Sequence, residues 1–466
     1  MEKPYLIVIR KGKSQLKEVC LRMSKPKEYS WMTKNRLMAY MLVALVILAV
    51  ISIVFWWPIT QSGWSLGLTL AIACIISVTI AITFDYLLSL VMKNKGPKNT
   101  MSVAVFGLIV ALSYSFGIPG TARSEFLPLV APTAFMYVAV IALVGIIVFK
   151  KLQGLFGRKY VNPAAAAKLL VLLPFVYEIL LPGAHARTML TAPLDYEGTR
   201  SFASFLQSCY ANPILVSEGA YTLPPSPLDL FWTLVLAKYH GWPGGASSLA
   251  VIIVGIGLFI VVRKYVKWRI TAWYFATVTF MSLIMTAFYG GDALLRLGFH
   301  LFVGSSIFLA FFMATDPATT PLTYLGQGIF GAGLGVLTVL LQTYMNFLGG
   351  SFVALVLMNL TSPWLDKIGL PKPTEAKREV KLPKAQVFET VESVQCMRCG
   401  ACLIFCCHNL SPILIKEAFD KGNMELIRKL RADLCDGCGH CNFVCPARID
   451  IRKSVLRAKA TLRTTK

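Results

Sequence analysis

The chain has 466 residues, 56% of them hydrophobic and only 15% charged, well under the ~25% charged of ordinary soluble domains. This is the composition of a membrane protein. The formal net charge of +23 invites a nucleic-acid reading, but no helix-turn-helix or zinc-finger pattern accompanies it, so no nucleic-acid partner is expected.

The charge sits at the ends of the chain. Residues 1–36 carry 10 Lys/Arg against 3 acids, residues 367–466 carry 19 against 10, and the 330 residues between hold 17 and 10. Residues 1–36 are too polar to span a bilayer. The apolar run from Leu37 is too long for a signal peptide and lacks a small-residue cleavage site. Residues 1–36 therefore read as a basic cytoplasmic tail whose Lys and Arg meet anionic membrane lipid.

From Leu37 to Asp366 the sequence predicts ten apolar segments near the ~20 residues that cross a bilayer: 37–57, 66–92, 101–117, 130–149, 164–181, 247–262, 270–289, 295–313, 326–345 and 351–365. Loop charge supports the count. With the N-terminus inside, the cytoplasmic turns hold Lys93, Lys95 and Lys98, then Lys150, Lys151, Arg158 and Lys159, then Arg263, Lys264, Lys267 and Arg269. The long outer loop 182–246 has only Arg187, Arg200 and Lys238. The turn after the eighth segment has Asp316 and no Lys or Arg, and is the weak point of the alternation. The chain is thus expected in the cytoplasmic (inner) membrane, multi-pass, with both termini cytoplasmic.

Ionisable groups within spans are costly and mark function. Asp85 and Glu178 qualify: Asp85 as a site for a coupling cation or a proton, with simple ion pairing as the plain alternative. His300 is the lone histidine in a span, so this chain by itself builds no bis-histidine haem there. Gly331-Ala-Gly333-Leu-Gly335 has no preceding strand and reads as small residues for close helix packing, not a dinucleotide fingerprint.

Residues 367–390, with Pro371, Pro373 and Pro383, read as a linker. Residues 391–466 read as a small α-helical domain with nine of the twelve cysteines. Cys396-Met-Arg-Cys399-Gly-Ala-Cys402-Leu-Ile-Phe-Cys406 and Cys435-Asp-Gly-Cys438-Gly-His-Cys441-Asn-Phe-Val-Cys445-Pro446 each have the spacing C-x₂-C-x₂-C-x₃-C, the ligand run of a [4Fe–4S] cluster. In two-cluster ferredoxins the fourth cysteine serves the other cluster. That rule assigns Cys396, Cys399, Cys402 and Cys445 to one cluster, and Cys435, Cys438, Cys441 and Cys406 to the other. A disulfide framework needs an oxidising compartment, and zinc ribbons use pairs of C-x₂-C; neither explains the doubled rhythm. Cys407 reads as a bystander thiol, and His408 and His440 as supporting or surface residues. Between the runs, Ser411 to Leu434 has the apolar spacing of a helix pair broken at Gly422.

Three stretches of the membrane part carry a resemblance. They are Lys150-Lys-Leu-Gln-Gly-Leu-Phe-Gly-Arg-Lys-Tyr-Val-Asn162-Pro163-Ala-Ala, Met313-Ala-Thr-Asp316-Pro317-Ala-Thr-Thr320-Pro321, and Ala354-Leu-Val-Leu-Met-Asn359 with Pro363 and Asp366. Together they resemble RnfD and NqrB, the membrane flavin proteins of the Rnf and Nqr complexes, over about residues 37–366. The cysteine domain is similar to the end of a different Rnf component, RnfC. It shares the two runs, Asn409-Leu410-x-Pro412, and a closing Arg457-Ala-Lys459.

The resemblance implies FMN on a threonine of the outer loop. Thr191 aligns with the modified threonine and Thr188 with the motif serine, although the motif's acid, glycine and alanine are missing here. It also implies a second flavin, riboflavin among the candidates. Asn162-Pro163 and Asp316-Pro317 each read as a helix start, whose free N–H groups would face an anionic flavin or serve as ordinary caps.

The fold expected is an all-α polytopic membrane protein of about ten transmembrane helices with a C-terminal α-helical ferredoxin domain. The function expected is electron transfer between cytoplasmic [4Fe–4S] clusters and membrane flavin, coupled or not to Na⁺ or H⁺ movement. Partners are the other proteins of an Rnf/Nqr-like complex and a soluble electron donor or acceptor. A membrane-anchored ferredoxin without functional flavin and a non-pumping quinone reductase are the alternatives.

Overall fold

The computed structural model describes residues 28–58, 60–61, 63–91, 100–114, 132–153, 159–173, 231, 235, 243–289, 293–302, 306–344, 349–388 and 393–464. They form two compact units, one of Leu37–Gly369 and one of Leu370–Lys466 with residues 28–36.

The larger unit is helical. In chain order it has α1 (Lys34–Trp56), α2 (Leu66–Val91), α3 (Thr100–Ser113), α4 (Thr133–Val144, continued by a π-helical turn Gly145–Leu152), α5 (Pro163–Val171), α6 (Ser248–Val262), α7 (Trp268–Tyr289), α8 (Ala293–Phe302), α9 (Ser306–Met313), α10 (Tyr324–Tyr344) and α11 (Gly350–Leu365). A hairpin of two-residue strands, Thr60–Gln61 and Trp64–Ser65, joins α1 to α2. These helices are apolar on buried and exposed sides alike: Leu45 and Leu70 are buried, while Val54, Ile75 and Phe288 are exposed. Helices hydrophobic all round belong in a bilayer, and the chain is a multi-pass membrane protein.

Each of the ten expected segments carries helix in its described residues. Among the described residues five helices are long and apolar enough to cross a membrane, or six if α8 and α9, bent by 58°, count as one span. Helices α3, α6 and α11 have 14, 15 and 16 residues. At ~1.5 Å per residue they fall short of the ~30 Å hydrocarbon core. Apolar composition runs on past a helix end; backbone geometry does not.

Glycines set the packing of α10. A Cβ on Gly331 would sit 2.5 Å from Ile270 O, and one on Gly335 3.1 Å from Tyr274 O, so α7 and α10 approach at backbone distance. Gly333 faces the other way, towards the flexible end of the Met358 side chain in α11. The glycine run serves close helix packing on two sides of α10, as its composition predicts.

In the smaller unit, β1 (Glu28–Ser30) pairs antiparallel with a strand at Ala385–Val387, Glu28 opposite Val387 and Ser30 opposite Ala385. The stretch expected as a plain linker therefore contributes a strand. Arg448 explains it. Its guanidinium lies 4.2 Å from the ring centres of both Tyr29 and Phe388, and its Nη2 donates to Ser30 O at 3.1 Å. Five helices follow: α12 (Ala401–Ile404), α13 (Pro412–Asp420), α14 (Met424–Lys429), α15 (His440–Phe443) and α16 (Ile451–Thr464). Gly422, at φ +67°, breaks α13 from α14, and the Asn423 side chain caps α14 by accepting from Leu426 N at 2.9 Å.

Candidate metal centres and membrane motifs

The cysteine runs fold as two copies of one motif, offset by 39 residues (435 against 396). In the first copy Arg398 and Gly400 are left-handed, at φ 53° and 79°; in the second Gly437 and Gly439 are, at 76° and 81°. These residues curl each C-x₂-C-x₂ loop so that successive thiols turn inward. One helical turn follows in each copy, α12 and α15, and delivers the fourth cysteine. A further left-handed residue, Asn409 (53°) or Arg448 (57°), turns the chain into the long helix α13 or α16. Left-handed backbone strains a non-glycine residue, and Arg398 and Arg448 are both held by side-chain contacts. Arg398 pairs with Glu417, and Arg448 has the aromatic clasp described above.

The thiols gather in two cavities. One is lined by Cys396, Cys399, Cys402 and Cys445, with Met397, Ala401, Ile413 and Ile451 among its apolar walls. The other is lined by Cys435, Cys438, Cys441 and Cys406, with Cys407, His408, Asp436, His440 and Arg452. The fourth cysteine of each run thus faces the cavity of the other run.

The ten described cysteines form no disulfide. Burial pushes the Cys396 and Cys435 thiols up to about 11 and raises Cys402 and Cys441 further. Cys438 goes the other way: hydrogen bonding to the Cys407 thiol beside it, with His440, holds it below the usual thiol range. Thiols gathered in this way are good ligands for a cationic metal, which supplies positive charge to the raised ones. Backbone N–H groups already point at sulfur: Arg398 N lies 3.3 Å from Cys396 Sγ, and Leu410 N 3.3 Å from Cys406 Sγ. The first cavity's one charged lining residue, Arg398, is engaged by Glu417. A soft, all-thiol donor set in groups of four fits iron–sulfur clusters. Cys407 is buried, its Sγ 3.6 Å from Cys438 Sγ. His408 Nδ1 is 3.0 Å from Thr374 O, and its Nε2 is 3.6 Å from Asp436, which Lys377 also pairs at 2.8 Å.

In the membrane unit, Asn162 is the N-cap of α5. Its Oδ1 accepts from Ala164 N (3.1 Å) and Ala165 N (3.3 Å), and its Nδ2 donates to Met313 O at 3.2 Å. Two of the motifs are thereby brought together. Asp316 does not start a helix. It closes a turn, accepting from Ala318 N (3.2 Å) and Thr319 Oγ1 (3.5 Å), and the next helix begins at Tyr324. The Asp366 carboxylate accepts from Leu322 N at 2.7 Å and ties that turn to the end of α11. Asp85 pairs with Lys151 at 2.8 Å. Thr188, Thr191 and Glu178 lie outside the described residues.

Sequence reasoning missed three buried cations. Lys267, counted as a loop charge, is 4% exposed and donates to Pro317 O, Thr320 O and Thr320 Oγ1 at 2.8–2.9 Å. Lys168 donates to Ser113 O and lies 4.1 Å from the Phe352 ring centre. Arg296 is buried in α8. For Lys168 and Arg296, a lone Lys or Arg inside an apolar run was the available signal; Lys267, among other loop charges, gave none. His300 does have a neighbour: Nδ1 is 2.9 Å from Gln342 Oε1, and Gln342 Nε2 donates to Ser306 Oγ at 3.2 Å.

Residues 23–375 match the sequence model of the NQR2, RnfD, RnfE family; the match ends ahead of the cysteine runs. The D subunit of the Na⁺-translocating ferredoxin:NAD⁺ oxidoreductase complex of Acetobacterium woodii is 28% identical over 325 residues, 69% of this chain and 88% of that one. The D subunit of the proton-translocating ferredoxin:NAD⁺ oxidoreductase complex of Clostridium ljungdahlii is 29% identical over 243 residues, 50% of this chain and 67% of the relative. The D subunit of an ion-translocating oxidoreductase complex of Halorhodospira halophila is 27% identical over 249 residues, covering 50% and 68%.

Proposed function

Because the chain belongs to the NQR2, RnfD, RnfE family, we propose that it is an electron-transfer subunit of an Rnf-like membrane oxidoreductase with its own iron–sulfur module. The observation that carries this reading is the sorting of the eight repeat thiols into two cavities, four in one and four, with Cys407 beside them, in the other, in a chain whose membrane part is a relative of RnfD.

Cys396, Cys399, Cys402 and Cys445 would hold one [4Fe–4S] cluster, and Cys406, Cys435, Cys438 and Cys441 the other. Bound there, the clusters supply one-electron storage and transfer. The chain's own part is placement and exclusion of water. Met397, Ala401, Ile413 and Ile451 wall the first site with apolar surface, and inward N–H groups steady the sulfurs.

The membrane part, residues 37–366, would carry FMN on Thr191, with Thr188 beside it. Asn162 and Asp316 use their side chains on nearby backbone, so their contribution is to fix the two turns rather than to bind flavin directly. The ten-span count, cytoplasmic termini, an inner-membrane location and the kinship of residues 391–466 with RnfC belong to the same proposal. The other membrane and cytoplasmic proteins of the complex are its partners, and electron flow through it is coupled to Na⁺ or H⁺ movement.

The test is cofactor content of the purified full chain. About eight irons, equal acid-labile sulfide, and flavin that stays with the polypeptide after acid precipitation are expected. Iron and sulfide without any flavin would replace this reading with a membrane-anchored ferredoxin. Neither iron nor flavin would end it.

A further inference from the structure

We propose that His440 and Cys407 set the electron order of the module, making the Cys406/Cys435/Cys438/Cys441 centre the more easily reduced of the two. The proposal rests on the cluster reading above and adds which centre holds the first electron, and which side chains decide it.

The two copies of the cysteine motif share backbone but differ in what faces the sulfurs. His440 and Ala401 are equivalent at the 39-residue offset, and each opens the helical turn that delivers the fourth cysteine. Cys407 stands where the second copy has Pro446. Around the second cavity, Cys407 Sγ lies 3.6 Å from Cys438 Sγ, and a His440 ring nitrogen lies within 4.8 Å of both sulfurs. Alanine and proline at the matching places of the other copy have no side-chain proton to give a sulfur.

The charges follow the same division. Arg452 lines the second cavity, where its equivalent Ile413 lines the first, and Arg452 Nε is buried without a protein partner. Lys459, at the position of Asp420, donates to Cys435 O at 2.6 Å. The other charges lining the cavities cancel: Asp436 is paired by Lys377, and Arg398 by Glu417. Arg448 acts on Cys445 of the first set, but it lines neither cavity, and its guanidinium is engaged by Tyr29 and Phe388. Three thiols of the second set are partly exposed, against two of the first.

Reduction takes a [4Fe–4S]²⁺ centre to [4Fe–4S]⁺ by one electron, with no bond made or broken. N–H and S–H donors at the sulfurs, nearby cations and access to water stabilise the added negative charge, and apolar walls do not. The differences in cavity lining therefore act in one direction. A chain holding a single electron keeps it at the second centre. The first, walled by Met397, Ala401, Ile413 and Ile451, is the stronger reductant.

The experiment is a redox titration of the full chain in detergent, with dithionite as reductant and electron paramagnetic resonance as readout. The centre left in Cys399→Ser should titrate at a higher potential than the centre left in Cys438→Ser. His440→Ala gives the second copy the residue that the first already has. It should lower the second centre's potential by at least about 59 mV, about tenfold in the one-electron equilibrium constant, and move the first centre less. His440→Gln, which keeps a donating N–H, should fall between parent and His440→Ala. Iron and sulfide should stay at parent levels throughout the His440 series. Cys407→Ala, which changes no ligand position, should lower the same potential, and it decides the matter should His440→Ala lose iron. Equal or reversed potentials in the two Ser variants overturn the proposal. So do His440→Ala and Cys407→Ala chains with full iron whose potentials are unmoved, or moved equally at both centres. A parent without iron and sulfide refutes the cluster reading itself, whereas unmoved potentials in an iron-replete chain refute this proposal alone.

Discussion

Cys407 follows directly on the fourth cysteine of the first run, and its sulfur lies 3.6 Å from that of Cys438. Proximity to a ligand is not ligation, because the second cavity already has four thiols at the repeat's equivalent positions. Cys399→Ser and Cys438→Ser are each expected to lower bound iron from about eight to about four, and Cys407→Ser to leave it at about eight. Iron analysis with matching sulfide decides this; loss of a whole cluster with Cys407 would overturn the ligand assignment. Lys267 carries a second residue-scale prediction. Its ammonium holds Pro317 O, Thr320 O and Thr320 Oγ1, and Lys267→Met strands these buried acceptors at ~1–3 kcal/mol each. The variant should melt well below the parent in detergent, and an unchanged melting temperature would show that the turn at Asp316 stands without it. Lys267 was legible as a charge but not as a buried one, because charge counting by loops assumes that loops are wet.

Helix α10 shows what sequence spacing does convey. Gly331, Gly333 and Gly335 alternate in a way that permits close approach, and the backbone of α7 occupies the space a Cβ at Gly331 would need. Gly331→Leu should destabilise the membrane unit by at least ~2 kcal/mol through overpacking. Gly257→Ala, whose Cβ meets nothing within 4 Å, should be neutral or stabilising by up to ~1 kcal/mol. Thermal unfolding in one detergent compares them, and equal stability of the two variants would refute the close α7–α10 contact. The strand at Ala385–Val387 lay beyond sequence reasoning. A three-residue strand has no internal period to detect, and it forms only because a partner at Glu28–Ser30 and the Arg448 clasp reach it from distant parts of the chain. Hydropathy sees the apolar run through α8 and α9 but not the 58° bend within it.

At the scale of the whole molecule, the doubled cysteine spacing predicted the same grouping of thiols that the two cavities display, since a rhythm of ligands is a constraint written locally. The flavin site was far less legible: only Thr191 and Thr188 survive of its motif. With clusters on the cytoplasmic side and flavin on an outward loop, as proposed, ~30 Å of hydrocarbon separates them. Among the described membrane residues no set of metal ligands bridges that gap: Cys74 stands alone in α2, and His300 is held by Gln342. The isolated chain should therefore take up electrons rapidly at its clusters while a Thr191-linked flavin stays oxidised until the partner proteins of the complex are added. Fast flavin reduction in the lone chain, with no second flavin present, would contradict that arrangement. The central claim is that two iron–sulfur clusters sit in this one chain. Its most direct test is low-temperature electron paramagnetic resonance of the purified, dithionite-reduced chain, quantified against iron and acid-labile sulfide. Two interacting [4Fe–4S]⁺ centres should give about two spins, and Cys438→Ser about one without interaction features. A reduced chain that is silent, with zinc in place of iron and sulfide, would contradict it.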